Sequence, residues 1–147
     1  MVLTHSICSL LSYVAFLIAF VTGLVFLVQE RQLKRKQMGM LFHRLPALWT
    51  LDRINFLSLG IGFGLLSVGV LCGIVGARLQ LGQWWSWDPK EWLTGLLWTT
   101  YLVLWLLRLR ATLRGRKVAL LSMLGFGLAL FTWLGVSRVL PTWHSYL

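Results

Sequence analysis

Four apolar runs, at about residues 6–28, 54–77, 92–107 and 118–140, constrain this chain more than any other feature. Each is near the roughly 20 residues that a helix needs to cross a bilayer, the third being the shortest. Composition agrees. The chain is 58% hydrophobic and 12% charged, with a mean hydropathy of +0.76. No soluble domain of this size hides so much apolar surface. The expected fold is an all-α integral membrane protein. Its four transmembrane helices, at approximately 6–30, 54–77, 89–107 and 118–140, form a bundle that is one domain over 1–147. The first run does not read as a cleavable signal peptide, since no basic segment precedes it and no small-residue cleavage site follows.

The formal net charge of +10 points first to nucleic acid, but its distribution points to topology. Arg31, Lys34, Arg35, Lys36, Arg44 and Arg53 lie between runs one and two. Arg108, Arg110, Arg114, Arg116 and Lys117 lie between runs three and four. Only Arg78, Lys90 and Arg138 lie elsewhere. By the positive-inside rule both basic connections face the cytoplasm or its equivalent, where they also meet anionic lipid. Both termini and the connection between runs two and three then share the outer face. The partner implied by this pattern is the bilayer, not nucleic acid.

That outer connection, at about residues 78–92, is rich in tryptophan. From Gly82 to Trp92 it carries Trp84, Trp85, Trp87 and Trp92, four of the nine tryptophans in the chain. Two readings compete: a shelf for a large flat ligand, or an aromatic belt at the headgroups. A belt scatters its aromatics over all helix ends, which this clustering does not. The segment closes with a helix start in which Asp88 caps, Pro89 takes the first helical position and Glu91 completes a capping box. Thr50-Leu51-Asp52-Arg53 offers a similar start for helix two. In that helix the pairs Gly60/Gly64 and Gly69/Gly73 fit the small-xxx-small pattern of close helix packing.

His5 and His144 stand at the outer ends of the first and last helices, on the face that carries the tryptophans, while His43 sits in a basic loop. Imidazole ligates iron, copper or zinc, and two imidazoles flanking a flat aromatic shelf can give axial coordination to a haem iron; the competing reading of each histidine is an interfacial residue without metal. Cys8 and Cys72 form no CxxC pair. They read as small buried hydrophobes, with a redox pair as the alternative. CxxCH, the attachment motif of c-type haem, is absent from the sequence.

The run Trp84-Trp85-Ser86-Trp87-Asp88-Pro89-Lys90-Glu91 resembles the tryptophan-rich WWD signature of the haem-handling proteins of cytochrome c maturation, closest to the CcsA (ResC) branch, to which HemX-like proteins are similar. His5-Ser6 with Tyr13-Val14-Ala15-Phe16, Leu51-Asp52-Arg53-Ile54-Asn55, Gly62-Phe63 and His144-Ser145-Tyr146 carry the likeness along the chain, which resembles the family's C-terminal core. The resemblance implies that the signature loop holds haem b on the outer face. It implies axial ligation by His5 and His144, aromatic contacts from Trp84, Trp85 and Trp87, and a loop shaped by Asp88. Arg78, Lys90 or Arg138, the cations of that face, are then the partners for the propionates. It further implies delivery of haem to apocytochrome c with a CcsB (ResB) type membrane partner, in a bacterial cytoplasmic or thylakoid membrane. On this reading the chain contributes no catalytic side chain and is one component of a cytochrome c synthase (haem lyase) system. Leu81 stands where the family usually has tryptophan, Trp92 comes one residue early, and no histidine lies within a span. Two other functions fit the same features: a non-catalytic subunit of a larger membrane complex, and a HemX-like regulator of tetrapyrrole synthesis.

Overall fold

A computed structural model describes residues 2–36, 45–82, 84, 89–110 and 115–135. Four helices follow one another: α1 (Val2–Lys34), α2 (Leu48–Leu81), α3 (Pro89–Leu109) and α4 (Arg116–Leu130), the last continuing as a π-helical turn over Phe131–Gly135. All four are long and apolar enough to cross a membrane. The 33 residues of α1 and 34 of α2 extend about 50 Å, against a hydrocarbon core of roughly 30 Å. Both helices therefore outreach their apolar runs and exceed the thickness of the hydrocarbon core.

The helix ends have local causes. Lys36, at φ 53°, turns the chain out of α1. Helix α2 begins earlier than the Thr50–Arg53 start: Ala47 occupies the cap position with no side-chain hydrogen bond, and the Ala47 carbonyl accepts from the Thr50 and Leu51 amides. Without a capping side chain, that start left no mark in the sequence. Gly82, at φ 70°, closes α2 in the left-handed conformation that suits glycine, its amide donating to the Arg78 carbonyl at 3.1 Å. Gly115, also at positive φ (62°), occupies the cap position before α4, where its carbonyl accepts from the Ala119 amide at 3.1 Å. Helix α3 opens on Pro89, whereas Asp88, expected to cap it, lies outside the described residues.

Each helix packs on its neighbours in a closed order, α1 on α2, α2 on α3, α3 on α4 and α4 on α1, with the longest seam between α1 and α2. Neighbours run antiparallel. His5 meets Gly69 at one end of the α1–α2 seam, and Asn55 meets Ala19 further along it. The starts of α1 and α3 and the ends of α2 and α4 therefore share one end of the bundle.

The core is formed by Phe16, Leu59, Leu66, Leu97, Tyr101, Leu104, Val118 and Phe126 with Ala19 and Ala129. Phe16 stacks on Tyr101, ring centroids 3.7 Å apart and nearly parallel. Two polar knots tie the basic half. The Asn55 amide donates to the Ala19 carbonyl (2.7 Å) and to Ser122 Oγ (3.3 Å), joining α1, α2 and α4. Arg108, predicted to be a loop charge that sets topology, is instead a buried residue of α3 paired with Asp52 of α2 at 2.6 Å. Its guanidinium also lies over the Phe56 ring. The cation at the basic end of this apolar helix turns inward because a carboxylate of α2 lies there to pair with it.

The glycines of α2 do not serve alike. Gly60 receives the tip of the Trp105 ring and Gly62 the Phe16 ring, while nothing lies within 4 Å of a methyl group placed at Gly64. So Gly60 and Gly64 are not one packing face, whereas Gly69 and Gly73 both abut α1. Gly60→Ala is expected to cost about 1–2 kcal/mol by displacing Trp105. Gly64→Ala is expected to be neutral or slightly stabilising. Thermal unfolding in detergent, followed by circular dichroism, distinguishes the two, and equal melting temperatures refute the assignment.

Candidate functional site

The end of the bundle where α1 starts and α2 stops gathers imidazole, indole and guanidinium. His5 lies on the first turns of α1, half-buried, its Nδ1 2.7 Å from the Gly69 carbonyl oxygen. A carbonyl only accepts, so the ring proton of the neutral imidazole sits on Nδ1 and Nε2 keeps its lone pair. The lone pair on Nε2 suits a metal ion or a hydrogen-bond donor.

Across the same end, the Gly82 turn folds the chain back beside α2. Arg78, in the last turn of α2, places its guanidinium 5.2 Å from the centroid of the Trp84 ring and donates to the Gly82 carbonyl. The Trp84 side chain is 61% exposed, so a large indole surface stays open although Arg78 covers part of it. A guanidinium has five donors, and a fork held over an indole is preorganised for an anion such as a carboxylate. A flat ligand bearing carboxylates matches both features. Lys90 lies in the first turn of α3. Tyr13 of α1 stacks on Trp133 of the π turn, centroids 5.8 Å apart, which joins α4 to α1 near this end.

The structure thus brings Arg78 and Trp84 together and seats His5 on α2. Trp85, Trp87, Asp88, Arg138 and His144 lie outside the described residues, as does His43. Cys8 and Cys72 are free, partly buried thiols, so neither is a fully buried hydrophobe. Trp49, 66% exposed, stands at the opposite end of the bundle. Trp98 and Trp105 pack against the core instead, so the tryptophans do not all serve one purpose. Sequence reasoning missed the Gly69 carbonyl and the Arg78–Trp84 pair. The first had a visible sign, since Gly69/Gly73 marked a seat on α2 without naming its occupant. The second follows from Gly82 just past a helix end, a common reversal signal.

These features define a class: an integral membrane protein of four spanning helices, with a histidine and an arginine-backed indole at one end. The chain belongs to the cytochrome c assembly protein family, whose sequence model matches residues 1–144. It is similar to the cytochrome c biogenesis protein CcsA of Thermosynechococcus vestitus, 38% identical over 103 residues, which is 70% of this chain and 32% of that protein. The CcsA of Pyropia yezoensis is 33% identical over 114 residues, covering 76% and 36%. That of Prochlorococcus marinus is 41% identical over 96 residues, covering 65% and 31%. The chain thus spans about a third of the length of the curated relatives it matches. No solved structure matches it.

Proposed function

We propose that this protein takes part in cytochrome c maturation by holding haem at the end of the bundle that bears His5 and Trp84, for attachment to apocytochrome c. The observation that carries the reading is the joint placement of His5 and the Arg78–Trp84 pair at that end. The names of the CcsA relatives and the family match support the pathway. The distribution of Lys and Arg supports an extracytoplasmic position for this end, periplasmic or lumenal.

In this reading haem b is cargo, and its vinyl groups are what the thiols of apocytochrome c attack. His5 and His144 supply the axial imidazoles. Trp84, Trp85 and Trp87 offer flat apolar surface to the porphyrin, with Asp88 as the expected cap of α3. Arg78, Lys90 and Arg138 supply charge for the propionates. No nucleophile is needed from this chain, because the attacking sulfur belongs to the cytochrome. What the protein contributes is orientation and a ligated iron. A membrane partner of the CcsB (ResB) type completes the system.

The test is an absorption spectrum of the purified protein with haem, oxidised and reduced. Low-spin bands that vanish in the His5→Ala, His144→Ala double variant are expected. Identical bands in that variant refute the ligand assignment. A second reading, a non-catalytic subunit of a larger membrane assembly, is favoured by the open surface at Gly64 and by the exposed Leu57, Ile61, Val68 and Leu71 on the same helix. Stoichiometric co-purification with such an assembly and no haem uptake would select it.

A further inference from the structure

We infer that Gly69 and Gly73 of α2 are positioning residues for His5: they hold its ring as the Nδ1–H tautomer and so make Nε2 the atom offered to a ligand. This deepens the haem reading and rests on it only for the identity of that ligand.

Two independent features of one seat support it. The first is the 2.7 Å contact from His5 Nδ1 to the Gly69 oxygen. Because the helical partner of that oxygen is the Gly73 amide, His5 uses its second lone pair. The contact spans 64 positions of sequence and joins two helices, so helix packing sets it rather than a local turn. The second is the space itself. A methyl group at Gly73 would stand 3.1 Å from both Cε1 and Nδ1 of His5, and one at Gly69 would stand 3.0 Å from Ser9 Oγ. The imidazole fits against α2 because Gly73 lacks a side chain, while the bare Gly69 lets α1 approach at Ser9 and so brings His5 within reach of the Gly69 carbonyl. Metal-binding histidines commonly donate their second ring N–H to a carbonyl or carboxylate, which fixes tautomer and ring orientation. Here a backbone carbonyl does so, and it cannot be removed by mutating a side chain. It can be displaced only by crowding the seat.

The primary test needs no haem. Protein labelled with 15N-histidine is studied by NMR in detergent micelles, at a pH where imidazole is neutral, with His5 assigned by difference from His5→Gln. A proton-bearing Nδ1 and a bare Nε2 are expected. A predominantly Nε2–H ring overturns the inference. Gly73→Ala is expected to lose the Nδ1–H preference and to weaken haem uptake about tenfold or more, the range for losing an outer-shell partner. Gly64→Ala, which fills open space on the same helix, is expected to change neither, and helical circular dichroism verifies that both variants fold. A Gly73→Ala protein with altered tautomer and unaltered haem titration would overturn the positioning role. If the wild type shows the Nδ1–H ring yet takes up no haem, the haem reading fails and the tautomer assignment stands.

Discussion

Asp52→Ala is expected to destabilise the bundle by about 3 kcal/mol, since it leaves the Arg108 guanidinium buried without its carboxylate. The Arg108 side chain is only 6% exposed and that of Asp52 31%, with 2.6 Å between their charged atoms. Partial exposure of Asp52 places the cost at the low end of the range for a broken buried pair. Arg108 also donates to the Asp52 backbone oxygen at 3.1 Å, a contact that survives the substitution but is too weak to replace an ion pair. The charge, not the packing, carries the loss. Asp52→Ala combined with Arg108→Met should therefore recover most of the stability, since no buried ion remains. Unfolding in mixed micelles, followed by tryptophan fluorescence, supplies the free energies. A single variant within about 0.5 kcal/mol of wild type, the usual span of surface changes, would show that Arg108 finds full compensation elsewhere.

Phe16→Ala is expected to cost more, about 3–5 kcal/mol, the range for truncating a buried aromatic. Phe16 is fully buried, lies against Tyr101 at 3.7 Å on one side, and points its edge at Gly62 on another. A methyl group at Gly62 would come within 2.5 Å of the Phe16 ring. Gly62→Ala attacks the same contact from the other side and should cost about 1–3 kcal/mol through overpacking. Because both changes act on one space, the double variant Phe16→Ala, Gly62→Ala should lose less than the sum of the two. Strict additivity, measured in the same unfolding assay, would mean that the ring moves freely and that α1 and α2 are not locked together here.

The four helices were legible because a bilayer demands long apolar runs, and these stand out whatever their neighbours do. Pro89 marked the start of α3 for a local reason, its fixed φ. The start of α2 at Leu48 was not legible, because Ala47 has no side chain with which to announce a cap. Arg108 was misread for a related reason. Charge near the end of an apolar run looks like a topology signal, and its partner lies 56 positions away. At the candidate site, His5 could be picked out by its position, yet its anchor is a backbone carbonyl, which no residue type reveals. Arg78 and Trp84 were each visible, but their pairing depends on how tightly Gly82 turns the chain.

The π-helical turn at Phe131–Gly135 shifts the register of the last described residues of this helix. The Thr132 hydroxyl donates to the Leu128 carbonyl at 2.9 Å, the same i−4 contact that Thr22, Thr94, Thr99 and Thr100 make within regular α-helix. A ring closed over five residues instead of four holds one residue more. By Gly135 the backbone therefore stands roughly 100° behind the azimuth that an unbroken α-helix would have reached. One deleted residue within the turn would restore the α ladder and rotate the exit by that angle, while leaving every apolar residue of α4 before Phe131 in its place.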